Sequence, residues 1–218
     1  MDNTVFVLVL SSSVLHAAWN SMASKYKNKN VSIAAIVYGH VPACIVAVII
    51  LPMPSVESYP YIILSALIHQ GYQNFLLTAY QTGKFTTVYP VARGFGPLVA
   101  TVISIIFLGV YLKIFTLLSI LLISAGVIFI GLFSRSVLKN YKILYTSLAT
   151  GLFIGIYSVV DGYGARLSMS AISYMSWVFI FSALFFPIAL KFRKQKNILR
   201  KTLTEGRFIF WVGGFFSY

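Results

Sequence analysis

The sequence predicts an all-α polytopic membrane protein with seven complete transmembrane helices and a partial eighth. Composition is the first reason: the 218 residues are 59% hydrophobic and only 10% charged, with a mean hydropathy of +0.87, whereas a water-soluble domain is about 25% charged. The second is pattern, because apolar runs of about 20 residues, the length needed to cross a bilayer, recur along the chain. The third is the position of the charge. The 17 Lys and Arg against 4 Asp and Glu, a net charge of +13, sit between the runs. Nucleic-acid binding would cluster them on a folded polar face, so nucleic acid is not an expected partner and the lipid bilayer is.

Read in order, the complete runs fall near 4–24, 31–52, 60–82, 86–108, 114–133, 143–165 and 171–190. Another begins at Phe208 and passes through Trp211 and Gly213 to Tyr218, about half a crossing by helical rise. Short loops rich in Lys and Arg stay in the cytoplasm. The loops after spans one, three, five and seven hold fourteen basic residues, including Lys25, Lys27 and Lys29, Lys84, Arg135, Lys139 and Lys142, and seven from Lys191 to Arg207. The opposite set holds two, Lys113 and Arg166. The N-terminus is therefore expected outside, in a multi-pass protein of the plasma or inner membrane. Span one follows only Asp2 and has no basic n-region or cleavage site, so it reads as a retained helix.

The chemistry expected of an enzyme is not written in the chain. Cys44 is the single cysteine and can form neither an intrachain disulfide nor a cysteine cluster, and it reads as lipid-facing or packed. There is no metalloprotease helix signature, phosphate-cradling loop or nucleophile elbow. Neither a cofactor nor a metal site is expected, and the protein reads as a non-enzyme.

Polar groups within a span are costly unless paired or facing a wet cavity, so each is a candidate functional residue. Span one carries His16, Trp19 and Asn20, which share a face by their spacing. Span three carries His69, Gln70, Gln73, Asn74 and Gln81, with 70, 74, 77 and 81 in one stripe; Gln70 and Asn74 are expected to line a cavity and Gln81 to bond between helices. For His16 and His69, both an interhelical hydrogen bond and proton or ligand contact are open. Trp19 lies too deep for an interfacial belt and is a packed residue or a cavity wall.

Span four reads Tyr89-Pro90-Val91-Ala92-Arg93-Gly94-Phe95-Gly96-Pro97. A helix break at Pro90, Gly94, Gly96 and Pro97 is expected, since each proline removes a backbone donor and clashes with the preceding turn. Gly/Pro-interrupted spans point to transporter binding sites. Span six carries Asp161 and Arg166 near its outer end, where long side chains snorkel cheaply, after a Gly151/Gly155 pair that would admit a second helix closely. Helical rise puts Asn20, Asn74 and Arg93 about 6–12 Å from the cytoplasmic edge and Asp161 about 27 Å from it. The first three could cluster, whereas Arg93 and Asp161 lie too far apart to pair. The remaining acids, Asp2, Glu57 and Glu205, lie outside the spans. Arg93 therefore needs another compensation: water, backbone carbonyls such as those freed by Pro97, an absent segment, or an anionic substrate held in a bidentate way.

Three motifs, His16-Ala17-Ala18-Trp19-Asn20, Tyr89-Pro90-Val91-Ala92-Arg93-Gly94 with Pro97, and Tyr157-Ser158-Val159-Val160-Asp161-Gly162-Tyr163-Gly164-Ala165-Arg166, resemble the EamA branch of the drug/metabolite transporter superfamily. The resemblance implies ten helices in two inverted five-helix repeats, a substrate cavity between them, and secondary transport of a small metabolite by alternating access. Some relatives sharing the first motif are associated with phosphonate use, which agrees with an anionic, amino-acid-like or phosphonate-like substrate. Relatives usually carry Gly-Glu where this chain has Gly109-Val110.

A slide of 138 residues places Trp19 on Tyr157 and Asn20 on Ser158, on spans of opposite direction, as inverted repeats require. Residues 1–133 then form a first five-helix repeat and 134–218 a shortened second one. The same offset would end a complete second half near residue 271, about 50 residues further. A truncated, transport-inactive remnant, or a half-transporter pairing with another copy, is thus the alternative to an active transporter. The expected pathway residues are His16, Trp19, Asn20, Gln70, Asn74, Tyr89, Arg93 and Asp161.

Overall fold

The structure, a computed structural model, describes residues 3–133, 140–192 and 197–214. Asp2, the loop residues Arg135, Lys139, Arg193, Lys194 and Lys196, and the final stretch to Tyr218 lie outside the described residues. Helix accounts for 88% and there are no strands among the described residues. The long elements are α1 (Asn3–Lys25), α2 (Lys29–Gly39), α3 (Val41–Ile50), α4 (Tyr59–Thr82), α5 (Phe85–Leu108), α6 (Ile114–Leu132), α7 (Tyr141–Leu167) and α8 (Ala171–Phe192); the short α9 (Ile198–Thr204) precedes a wide helical turn at Ile209–Gly213.

Among the described residues, six helical stretches are long and apolar enough to cross a membrane: Phe6–Lys25, Lys29–Ile50, Phe85–Leu108, Ile114–Leu132, Tyr141–Leu167 and Ala171–Ile188. This makes the chain a candidate multi-pass membrane protein. The expected third span coincides with the helix α4, 24 residues long, which carries histidine and amide residues and is not among the six. The outer faces support a lipid environment, since Ile49, Phe107 and Leu122 are each more than three-quarters exposed. Such a display of bare apolar surface is foreign to soluble monomers.

α7 is the centre of the bundle. It packs against α4 on one side and α5 on another, α6 covers α5, and α8 lies against α3 and α4. The Gly151/Gly155 pair makes the close approach its spacing predicts. A Cβ at Gly151 would stand 2.7 Å from the Ala92 carbonyl oxygen, and one at Gly155 would stand 2.8 Å from that of Gly96. No side chain fits between these backbones.

Two features differ from the sequence expectation. The break expected at Pro90, Gly94, Gly96 and Pro97 does not occur: α5 runs as one helix with both prolines inside it. The glycines serve as contact points instead. A Cβ on Gly94 would lie 2.9 Å from the Ser124 oxygen of α6, and one on Gly96 2.7 Å from Ile154 of α7. Helices pressed against both faces keep α5 helical across the two ladder bonds that the prolines delete.

The second difference is in span two, read as one uninterrupted run. Here it divides at His40 into α2 and α3, with Pro42 at the start of α3. Proline is favoured in a first helical turn, where its missing N–H costs nothing. Cys44 is packed, fully buried and free. The C-terminal turn packs on α2, and Gly39 meets Gly214 so closely that a Cβ on Gly214 would be 2.6 Å from the Gly39 Cα.

The α5–α7 contact sets a stability test. Gly155→Val forces side-chain atoms against Gly96 and Val99 and should destabilise the bundle by about 1–3 kcal/mol. Gly162→Ala, also in α7 but at a position where an added Cβ would meet nothing within 4 Å, should be neutral or stabilise by up to about 1 kcal/mol. Equilibrium unfolding by SDS titration in mixed micelles measures both.

Candidate functional site

A cavity of about 270 Å³ lies inside the bundle, and all three histidines of the chain, His16, His40 and His69, line it. The walls come from α1, α2, α4, α7 and α8, with Trp19, Ile36, Tyr72, Gln73, Leu76, Tyr157 and Phe179 completing much of the lining. Its size suits a small solute.

On α1 the i, i+3 and i+4 spacing builds a local unit. Trp19 Nε1 donates to His16 Nδ1 at 3.3 Å, and the two rings meet edge-on with centroids 5.0 Å apart. Asn20 Nδ2 donates to the His16 carbonyl at 2.9 Å. Because an indole nitrogen only donates, His16 Nδ1 must accept, which places the hydrogen of a neutral imidazole on Nε2. That Nε2 is buried and has no hydrogen-bond partner among the described residues. Gln73 Oε1, also on a lining residue, is buried and unpartnered in the same sense. Two lining residues thus carry one spare donor and one spare acceptor, both enclosed within the wall and each costly to leave unmet.

The cavity-facing stripe of α4 is His69, Tyr72, Gln73 and Leu76, one residue off the 70, 74, 77, 81 stripe read from the sequence. One residue is about 100° of helix rotation, enough to turn Gln70 and Asn74 away from the cavity. Gln70 Nε2 donates to the Ser182 carbonyl of α8 at 2.8 Å, an interhelical bond like the one expected of Gln81, and Asn74 Nδ2 donates to the Gln70 carbonyl at 2.9 Å. Gln81 is exposed and reaches Asn30 at 3.5 Å.

Of the remaining expected residues, Asn20 is fully buried behind the lining and accepts from the Tyr80 hydroxyl at 2.9 Å. Arg93 is half-buried, with its guanidinium carbon 5.7 Å from the centroid of the Tyr89 ring. That contact is of cation–π type, and Tyr89 stacks in turn on Phe85 at 4.8 Å. Tyr72, Tyr157 and His16, three lining residues, are electrostatic neighbours of Arg93. Arg93 therefore stands just behind the cavity wall and projects positive potential into it. No carboxylate pairs with it among the described residues.

Asp161 corrects another expectation. It does not snorkel to an interface but is 9% exposed inside the bundle, where it accepts from the Tyr174 hydroxyl at 3.3 Å. Its charged-group neighbour is His69, not Arg93. Arg166 is exposed and lines a separate hollow of about 340 Å³ between α5, α6 and α7.

His40, Tyr72, Gln73 and Tyr157 are lining residues outside the set expected from the sequence. His40 could have been found by the rule that selected His16 and His69, an ionisable group within an apolar run. Pro42 masked it by placing it at a bend, where it stacks on Phe179 with centroids 4.4 Å apart. Tyr157 had a signal as well, as the repeat counterpart of Trp19. The three histidines do not converge on a point: among the described residues, no three His, Cys, Asp or Glu side chains stand close enough to hold a metal ion.

The Asn20–Tyr80 bond ties α1 to α4 behind the site. A double-mutant cycle of Asn20→Ala and Tyr80→Phe, read by SDS unfolding, should give a coupling of about 0.6–1.7 kcal/mol, the range for interhelical hydrogen bonds in membranes. No family model, curated protein or solved structure matches the chain, so its function is read from this geometry.

Proposed function

We propose that the protein is a secondary transporter of the drug/metabolite type, which moves a small anionic metabolite by alternating access through the three-histidine cavity. The observation that carries this reading is a cavity whose mainly apolar wall includes three histidines, Tyr72, Tyr157 and Gln73, with an unmet donor at His16 Nε2 and an unmet acceptor at Gln73 Oε1 enclosed in that wall, inside a bundle whose outer faces are bare and apolar. Membrane helices keep such groups where a solute or ion passes. Arg93 gives the sign of that solute. Its guanidinium stands behind the wall with aromatic neighbours and no carboxylate among the described residues, and the positive potential it adds to the cavity favours an anion such as a carboxylate or phosphonate.

The repeat argument supports the same reading. Of the two pairs brought together by the 138-residue slide, Trp19 and Tyr157 both line the cavity, whereas Asn20 lies behind its lining and Ser158 lines the separate hollow. The first pair has the placement expected where a first repeat, residues 1–133, and a second, beginning at 134, meet around a shared site. α4 then counts as a membrane-crossing helix, shielded by α7 and α8, and the N-terminus lies outside.

The test of transport is uptake into proteoliposomes, using ¹⁴C-labelled glutamate, glycine and 2-aminoethylphosphonate as probes. At least one anionic probe should enter saturably. Arg93→Ala should reduce its uptake at least tenfold, and Arg93→Lys should recover part of it through charge without the fork. Uptake no greater than in protein-free liposomes for every probe, or uptake unchanged in Arg93→Ala, would overturn the reading.

Orientation has its own measurement. In intact cells a membrane-impermeant maleimide should label Lys113→Cys and spare Lys84→Cys and Lys142→Cys, with little background from buried Cys44. The reverse pattern would invert the topology.

A further inference from the structure

We propose that Asp161 and His69 form a single proton-binding site that opens on the cavity through the His69 imidazole. The inference begins with Asp161, the one carboxylate set within a membrane-length apolar helix among the described residues. Its 9% exposure leaves little contact with water, and a lone buried anion is strongly unfavourable. The hydrogen bonds around it do not supply a positive charge. Tyr174, fully buried on α8, donates at 3.3 Å, and it can approach because Gly164, one turn beyond Asp161, has no side chain in the way of its ring. The Ser65 hydroxyl of α4 is an electrostatic neighbour of the carboxylate.

His69 completes the site. Its Nδ1 lies 3.0 Å from the Ser65 carbonyl oxygen, which can only accept, so Nδ1 carries a hydrogen. Ser65 Oγ, 3.2 Å from the same nitrogen, is then free to turn its own hydrogen toward Asp161. The other ring nitrogen, Nε2, remains to take up a proton, on a ring that lines the cavity and lies 4.3 Å, centroid to centroid, from Tyr157.

The charge balance fixes the stoichiometry. A carboxylic acid beside a neutral imidazole, or a carboxylate beside an imidazolium, has no net charge, whereas losing the shared proton leaves one buried negative charge. One proton therefore belongs to the pair and not to either residue.

The other groups facing the pair set its limits. Tyr72 is on the same face of α4, Tyr157 comes from α7, Tyr174 from α8, and His40 faces His69 from the α2–α3 bend. Imidazolium charges on His40 and His69 together would repel, so at most one of the two is charged. Arg93 of α5 neighbours Tyr157 but is not a neighbour of Asp161. If the transport reading above holds, a solute near Arg93 and a proton on the pair share one cavity, and uptake responds to a proton gradient.

Infrared pH-difference spectroscopy of the full chain in nanodiscs tests the site without any solute. The carboxyl band removed by Asp161→Asn and the imidazole band removed by His69→Gln should change at one midpoint in the unsubstituted protein. Each substitution should move the partner's midpoint at least tenfold in proton concentration. Separate midpoints, or a partner's midpoint unmoved by the substitution, would overturn the proposal. If His69→Gln fails to fold, the unsubstituted protein and Asp161→Asn still decide it. Uptake of the most active anionic probe under a gradient of one pH unit supplies the second arm: Asp161→Asn should abolish the gradient dependence. Absence of all uptake would remove the transport reading and leave the spectral result to stand by itself.

Discussion

The close contact of α5 and α7 is the constraint on which the rest of the bundle depends. Gly151 and Gly155 bring the backbone of α7 against the Ala92 and Gly96 carbonyls, and in lipid such small-residue packing takes over the role of the hydrophobic effect, because a bilayer offers apolar side chains no reason to leave it. From that seam, α7 presents its opposite side to α4, placing Tyr157 against His69 and burying Asp161 beside Ser65 and Tyr174. α6 can lie on α5 because Gly94 and Gly131 clear the way. The prolines of α5 are absorbed by the same packing.

The second organising fact is the division between polar groups that bond helices together and polar groups that face a space. Asn20, Gln70 and Asn74 bond to α4 or α8 groups or to their own helix backbone, and they hold the walls of the cavity without entering it. His16 and Gln73 retain buried atoms that nothing within the described residues satisfies. Gln70 Oε1, Thr87 Oγ1, Trp177 Nε1 and Ser182 Oγ are likewise buried and unpartnered among the described residues, and what sets His16 and Gln73 apart is their place in the cavity wall. Arg93 adds a charge from behind the wall, and Asp161 with His69 adds a second ionisable centre on the far side of Tyr157. The two centres are separated by aromatic rings, so they do not neutralise one another, in keeping with the different depths that helical rise assigns to Arg93 and Asp161.

The sequence was most legible where the signal was local. The starts and ends of α1, α5, α6 and α8 fall close to the limits read from hydropathy, and the Gly151/Gly155 pair announced a helix crossing. It was least legible where a neighbour decides. The amide pattern of α4 is compatible with several faces turned inward, and only the seating of α8 over Gln70 picks the stripe through His69 and Gln73. Pro90 and Pro97 read as a break because a solitary helix would break there, whereas α5 is held on two sides. His40 escaped notice because a bend at Pro42, not a periodic face, turns it inward.

The sequence by itself determined that the chain is helical, apolar on its outside and charged between its helices, because hydropathy and loop composition act through each segment's own contact with solvent or lipid. The tertiary structure alone decided which polar residues meet a cavity, which bond to a backbone, and that Asp161 belongs with His69. Those choices depend on rotations of one residue and on distances between helices distant in sequence, and neither quantity is written in any single segment.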